Sequence, residues 1–237
     1  MYQTLSIIIP SYNEGASLEA ILHKVHRVEL PYNIKKEIIV VDDGSTDNTA
    51  QYALNYIEQH PTHNVTLLRH TVNQGKGMAI RTAIGHITGD VVVIQDSDEE
   101  LDPNDISRML RKLVDENLQV VYGSRFLQKN HAKAHYRTFY LGTCFLSWLT
   151  NILYAQHITD EPTCYKMFLT PLLRNINLKC TGFEFCPEVT AKVARQGIKI
   201  KEIPISYYPR TINQGKKIRA KDGLKAMYYL IKYRFIK

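Results

Sequence analysis

Five short runs rich in β-branched residues, the first four each followed by apolar residues at helical spacing or by a helix-start signal, constrain this chain more than any other feature. Leu5-Ser6-Ile7-Ile8-Ile9 stops at Pro10, and Ile38-Ile39-Val40-Val41 ends in Asp42-Asp43-Gly44-Ser45. Val65-Thr66-Leu67-Leu68 leads to Asn73-Gln74-Gly75-Lys76-Gly77. Val91-Val92-Val93-Ile94 breaks into Gln95-Asp96-Ser97-Asp98-Glu99-Glu100, and Val120-Val121-Tyr122 ends in Gly123-Ser124-Arg125. Between the runs, Leu18, Ile21, Leu22 and Val25, then Ala53, Leu54 and Ile57, then Ala79, Ile80, Ala83 and Ile84, fall on helical faces. Asp102-Pro103 reads as an N-cap and first helical position, opening a helix to about Glu116. This alternation predicts an α/β fold: a doubly wound, mostly parallel sheet with helices on both faces.

Right-handed crossovers put the carboxyl end of every parallel strand on one edge. That edge collects Tyr12, Glu14, Asp42, Asp43, Asp96, Asp98 and Arg125. Ligands of open α/β sheets bind there. Asp96 and Asp98 suit a hard divalent cation, which takes oxygen ligands, and such a cation in turn suits a diphosphate. Three other signatures are missing. Gly75-Lys76-Gly77 lacks the third glycine of a dinucleotide fingerprint and follows the third strand, not the first. Neither Gly75-Lys76 nor Gly215-Lys216 is followed by Ser or Thr, so there is no Walker loop. No GxSxG elbow occurs. Hydride transfer, P-loop hydrolysis and serine hydrolysis therefore lose support.

The net charge of +7 is unevenly placed: residues 1–120 sum to −7 and residues 121–237 to +14. An acidic half with metal-ligand spacing and a basic half predict an anionic ligand bridging the two; nucleic acid is the rival partner. Cys144, Cys164, Cys180 and Cys186 contain no CxxC pair, which predicts reduced thiols in a cytosolic chain. His131 and His135 could share a helix face but lack the HExxH pattern. The chain runs straight into a strand pattern, so no signal peptide is expected, and no stretch has the roughly 20 apolar residues that span a bilayer. Residues 139–154 are apolar and aromatic, as in either an amphipathic helix lying on a membrane or a packed core helix. Tyr165–Phe168 reads as a short strand, Phe185–Arg195 as a helix and Ile198–Tyr207 as an alternating strand. The last helix carries Leu224, Met227, Tyr228, Ile231 and Phe235 on one face, and either docks on the sheet or anchors at an interface.

Taken in order, Ile9-Pro10-Ser11-Tyr12-Asn13-Glu14, Val40-Val41-Asp42-Asp43-Gly44-Ser45-Thr46-Asp47, Asn73-Gln74-Gly75-Lys76-Gly77 and Asp96-Ser97-Asp98 resemble the GT-A fold, family 2 inverting glycosyltransferases. Further stretches resemble its dolichol-phosphate mannose synthase branch, the polyprenyl-phosphate hexosyltransferases. They are Gly123-Ser124-Arg125-Phe126, Asp160 to Lys166, Gly182-Phe183-Glu184-Phe185, Glu202-Ile203-Pro204-Ile205, Arg210 and Gly215-Lys216-Lys217-Ile218. The sequence departs from that branch twice: Asp96-Ser97-Asp98-Glu99-Glu100 replaces Asp-Ala-Asp-Leu-Gln, and Thr163-Cys164-Tyr165 replaces Ser-Gly-Phe.

The resemblance implies one catalytic domain over 1–237, with a nucleotide-sugar half (1–125) and an acceptor- and membrane-facing half (126–237). It implies transfer of one hexose from a GDP-mannose or UDP-glucose type donor to a polyprenyl or dolichyl phosphate. Pro10, Tyr12, Glu14, Val41, Asp43, Lys76, Asp96 and Ser97 would bind the nucleotide-sugar, with Asp43 accepting from the base and Asp42 buttressing the loop. Asp96, Asp98 and Glu100 would hold Mg²⁺ or Mn²⁺. Arg125, Arg210, Lys216 and Lys217 would hold phosphates, bidentately where they are arginines, with Arg219 nearby; Asp98, Arg125, Arg210 and Glu184 carry the catalytic expectation. The alternative is a hydroxyl acceptor, which needs a general base, Glu184 or Asp160. A nucleic-acid-binding module is the remote alternative and leaves Asp96 and Asp98 unexplained, so no nucleic-acid partner is expected. The expected location is cytoplasmic, peripheral on the cytoplasmic face of a membrane, with a membrane-anchoring protein as a conceivable partner.

Overall fold

The computed structural model describes residues 2–127, 137–210, 217 and 220–236. His131, His135, Lys216 and Arg219 lie outside them. The first half alternates as expected: β1 (Thr4–Ser11), α1 (Gly15–Arg27), β2 (Lys35–Asp42), α2 (Thr49–Gln59), β3 (Val65–Arg69), α3 (Lys76–Ile84), β4 (Val91–Ile94), α4 (Asn104–Asp115) and β5 (Val120–Ser124). The second half adds α5 (Arg137–Tyr154), β6 (Lys166–Leu169), α6 (Thr170–Asn175), α7 (Phe185–Arg195), β7 (Lys201–Pro204) and α8 (Ala220–Phe235).

The seven strands form one sheet in the order β3-β2-β1-β4-β6-β5-β7. A central parallel strand is covered on both faces and must be apolar on both. Ile7 and Ile9 of β1 face a cluster with Leu18, Ile21, Ile106 and Met109 of α1 and α4. Ile8, between them, faces the opposite cluster with Ile80 of α3 and Val189 and Val193 of α7. Val91 and Val93 against Val92 and Ile94 divide in the same way, the two-residue period of a strand.

Two features differ from the sequence reading. β6 is antiparallel to both β4 and β5 and inserts between them, so the two halves of the chain share one sheet. The alternation of residues 198–207 yields only the four-residue β7, because past Pro204 the chain leaves the ladder; Tyr207 instead forms an antiparallel bridge to Leu101. That departure carries Arg210 to the carboxyl edge.

The start of α3 is fixed by close packing against residues 181–182. Gly75 has φ +96°, and a Cβ there would sit 2.4 Å from the Thr181 carbonyl oxygen. Met78 donates its N–H to that same oxygen at 3.0 Å. Gly75→Ala combines a left-handed backbone with a steric clash, so it should cost about 3 kcal/mol. In a domain of this size the melting temperature should then fall by roughly 6–12 °C, measured by thermal unfolding of the purified variant.

Candidate active site

The first two loops at the carboxyl edge are laced together, which explains their polar sequences. Asn13 adopts a left-handed backbone (φ 50°). Its side-chain oxygen accepts from the Thr46 N–H at 2.8 Å, and its own N–H donates to Ser45 Oγ at 2.9 Å. The Glu14 N–H donates to Thr49 Oγ1 (3.0 Å) and the Gly15 N–H to Asp47 Oδ2 (3.3 Å). These bonds satisfy backbone groups that the turns leave open and turn the Glu14 carboxylate toward the sheet edge.

Asp43 makes the loop-buttressing contacts that were expected of Asp42. Asp43 accepts the N–H groups of Gln74 (2.9 Å) and Gly75 (2.7 Å), with His70 Nδ1 2.6 Å away. It is therefore the buttress of the loop before α3. Asp42 accepts the Ser45 N–H at 3.1 Å through Oδ1, while Oδ2 is buried without a hydrogen bond, 3.5 Å from Arg69 Nε. Pro10 and Val41 are register partners on adjacent strands, both buried beneath these loops. Tyr12 is half-buried, with the Lys217 ammonium 5.6 Å from its ring centre.

Past β4, Gln95 is fully buried, accepts the Tyr165 hydroxyl and donates to the Asp96 carbonyl at 3.0 Å. Ser97 is buried, and the neighbouring carboxylates point to different partners. Asp96 pairs with Lys76. Arg210 donates to both Glu14 oxygens at 3.2 Å and to Asp98, and its Nε lies 3.5 Å from Glu100. Glu100 holds Arg210 in place: its carboxylate accepts the Arg210 N–H at 3.0 Å, and its carbonyl accepts the Tyr208 N–H at 2.8 Å. Lys217 reaches the Tyr12 carbonyl and Glu14 Oε1, the latter at 2.8 Å.

The expected trio of metal ligands is therefore not a cage. Among the described residues no three His, Cys, Asp or Glu side chains are gathered for a metal, because Glu100 is an anchor for Arg210. Asp96 and Asp98 remain a fitting pair, since Mg²⁺ is usually held by one or two carboxylates together with substrate phosphates. Their charges are in conflict. Burial, with Asp96 beside it, pushes the Asp98 carboxyl up to about 7 even though Arg210 opposes the shift. Burial also acts on Asp96, but the Lys76 ammonium overrides it and holds that carboxyl below its ordinary range. A further positive charge at this edge would relieve Asp98.

Arg125 and Asp160 are committed to one another rather than free. The guanidinium grips both Asp160 oxygens at 2.7 Å, the Arg125 N–H adds a 3.0 Å bond, and Asp160 is fully buried. Glu202 accepts the Thr159 and Asp160 N–H groups at 2.7 and 3.0 Å, so the Glu-Ile-Pro stretch of β7 fixes the pair from behind. The Tyr207 ring lies 5.1 Å from the guanidinium, and its phenol also meets Glu100, joining Arg125 to the Arg210 network. Glu184 folds back onto its own turn, accepting from Thr181 (3.3 Å) and Gly182 (3.1 Å). It caps a turn that packs against the start of α3.

The sequence reading gave Cys164 no part in the chemistry. Its sulfur is 2.9 Å from Lys76 Nζ, and its thiol meets Asp96 and Cys186. Only its place in Thr163-Cys164-Tyr165, a departure from the pattern the chain otherwise resembles, pointed to it.

Against this geometry, the family model "Glycosyl transferase family 2" matches residues 6–174, and the chain belongs to that family. It is a glycosyltransferase. The dolichyl-phosphate beta-glucosyltransferase ALG5A of Trichomonas vaginalis is 29% identical over 240 residues, covering 96% of this chain and 72% of the relative. The dolichyl-phosphate beta-glucosyltransferase of Saccharomyces cerevisiae is 28% identical over 240 residues, covering 93% and 71%. Glucosyl-3-phosphoglycerate synthase of Mycobacterium tuberculosis, solved with UDP, superposes with a TM-score of 0.75 at 18% identity over 99% of this chain and 81% of that one. A Pyrobaculum calidifontis mannosyltransferase solved with GDP-Man and Mn²⁺ gives 0.65 at 20% identity, over 97% and 69%. These likenesses establish the GT-A architecture expected from the motifs.

Behind the Arg125–Asp160 pair, Glu161 is fully buried and neither of its oxygens makes a hydrogen bond, with the Lys166 ammonium and Thr190 hydroxyl nearby. Burial pushes its carboxyl up to about 7. The folded form thus holds a proton that the unfolded chain releases near 4.5. Its contribution is present at low pH and is lost as pH rises toward 7, on the order of 3 kcal/mol. Glu161→Gln should abolish that slope, leaving the variant more stable than the parent at pH 8 but not at pH 4.5 in urea titrations.

Proposed function

We propose that this chain transfers a hexose from a nucleoside-diphosphate sugar to a polyprenyl phosphate at a membrane surface. The observation that carries the reading is the junction of the Asp96–Asp98 pair with Lys76 and Arg210, because it supplies hard oxygen donors and phosphate-binding cations at one edge. Mg²⁺ or Mn²⁺ held by Asp96 and Asp98 would supply Lewis-acid stabilisation of the departing diphosphate. Glucose is the favoured sugar because the relatives named above are dolichyl-phosphate glucosyltransferases. The four free thiols suit a reducing compartment, so we extend the proposal to the cytoplasmic face.

In this reading a phosphate oxygen of the acceptor attacks the anomeric carbon from the face opposite the leaving group. The new C–O bond forms as the bond to the donor phosphate breaks, the configuration inverts, and nucleoside diphosphate departs. No proton has to be removed from an ionised phosphate. That fits the residues: Asp160 is locked to Arg125 and Glu184 is held by two backbone N–H groups. Neither is placed as a free base for a hydroxyl acceptor. Tyr12, Glu14 and Lys217 would flank the nucleoside. Arg210, bonded to Glu14 and Asp98, would pass to phosphate oxygens, which it can grip bidentately. Lys76 would keep Asp96 ionised.

Incubation with a panel of labelled nucleotide-sugars, dolichyl phosphate and Mn²⁺ should move label from one donor into an organic-extractable lipid, with UDP-glucose expected. Label appearing only in a hydroxyl-linked product overturns the acceptor assignment. Asp98→Asn should reduce kcat/KM by about 10²–10³-fold, in line with the loss of a key electrostatic contact. Glu184→Gln should retain partial turnover, whereas complete loss with intact donor binding would favour the hydroxyl-acceptor alternative.

A further inference from the structure

Helices α5 and α8 lie side by side over α7, joined through Leu146, Tyr154, Ala226, Leu230 and Tyr233, with Ala191 and Ala194 of α7 beneath. The Tyr154 hydroxyl donates to the Leu230 carbonyl at 2.6 Å and fixes their contact. Their outer faces should be polar if they met only water. Instead α5 presents Leu141, Phe145, Trp148 and Ile152, spaced i, i+4, i+7 and i+11. The outer face of α8 repeats that spacing with Leu224, Tyr228, Ile231 and Phe235. All eight side chains are 42–77% exposed. A doubled stripe of this length exceeds the scattered apolar residues normal on a monomer surface.

Charge and position narrow the occupant. No Asp, Glu, Lys or Arg occurs between Thr138 and Tyr154. Along α8, Lys221, Lys225 and Arg234 are exposed and Lys232 is half-buried over Tyr228 and Tyr229, against the single carboxylate of Asp222. Apolar stripes beside cations and tyrosines match an interfacial element that sits at the headgroup boundary and attracts anionic lipid. Two copies of such a face would bring like charges together. No helix among the described residues is long and apolar enough to cross a membrane. The face also begins at the rim of the active site: Phe126, next to Arg125, packs on Tyr140 of α5 at 5.3 Å, and Ser147 of α5 accepts the Glu161 N–H at 2.9 Å.

We infer that the outer faces of α5 and α8 form a docking surface for an anionic phospholipid bilayer. The stripes enter the headgroup boundary, and the Arg125 side of the site is turned toward the lipid-borne acceptor. The purpose of this surface rests on the proposed lipid acceptor; its binding to membranes does not.

Trp148 is the only tryptophan in the chain, so its fluorescence reports on this face alone. With the full chain, vesicles of phosphatidylcholine mixed with anionic phosphatidylserine should shift Trp148 emission to the blue. Acyl-brominated lipid should quench it. Lys221→Gln and Lys225→Gln should each weaken binding on the order of fivefold. Ile152→Ser with Phe235→Ser should weaken it by about tenfold or more, while leaving nucleotide binding and transfer to a short-chain, water-dispersed prenyl phosphate unchanged. An emission spectrum indifferent to all vesicles overturns the inference. So does a blue shift that grows with protein concentration in the absence of lipid, which assigns the face to a second copy. Vesicle binding without transfer to any prenyl phosphate overturns the proposed function and leaves the docking surface standing.

Discussion

The site depends on holding several mostly buried carboxylates together at one sheet edge. Glu14, Asp96, Asp98 and Glu100 converge where β1 and β4 end, and like charges so close, partly buried, cannot all ionise freely. Their counter-ions come from distant parts of the chain. Lys76 arrives on the first residue of α3, held there by the packing of Gly75 against Thr181. Arg210 arrives beyond β7, held by the Leu101–Tyr207 bridge and by Glu100. Charge balance at the edge thus couples the first βα units to the last strand.

How much of this was legible in the sequence follows from what each signal encodes. Burial on both faces leaves a direct mark, a run of β-branched residues, so β1, β2 and β4 could be read at once. Phe185–Arg195 was legible as a helix because Gly197 (φ 76°) stops it. Strand direction leaves no such mark. Tyr165-Lys166-Met167-Phe168 reads as a strand, but nothing local says that it runs against its neighbours. Lys166 even argues against a central position, until its ammonium is seen 3.6 Å from the Tyr122 ring and bonded to the Glu161 carbonyl at 2.7 Å.

Within the site, Asp96 and Asp98 were legible because charge at the end of a buried strand has no packing reason to be there. The partners of each charge were not. A carboxylate's role depends on which N–H groups are brought to it, and that is decided by loops far away in sequence. Asp43 is claimed by the loop before α3, Glu184 by the turn that precedes it, and Asp160 by Arg125 and by the segment Glu202 fixes. Adjacent aspartates such as Asp42 and Asp43 look interchangeable in a sequence, although one is saturated and the other keeps a buried oxygen without a hydrogen bond.

These commitments bear on the kind of acceptor the site can serve. A hydroxyl must lose a proton on attack, and the group that takes it must have a free lone pair within reach. Here the carboxylates best placed by sequence are already bonded, and the one pushed up to about 7 at the edge, Asp98, is paired with Arg210. What the site offers such an acceptor is two cations that already share one carboxylate: Arg210 and Lys217 both rest on Glu14. An incoming diphosphate can take those cations from Glu14 because it presents more oxygen and more charge. An acceptor that brings its own ionised oxygen then needs only to be steered. On the proposed reading, the same cations that Glu14 holds orient the reactants, and a dedicated base becomes unnecessary.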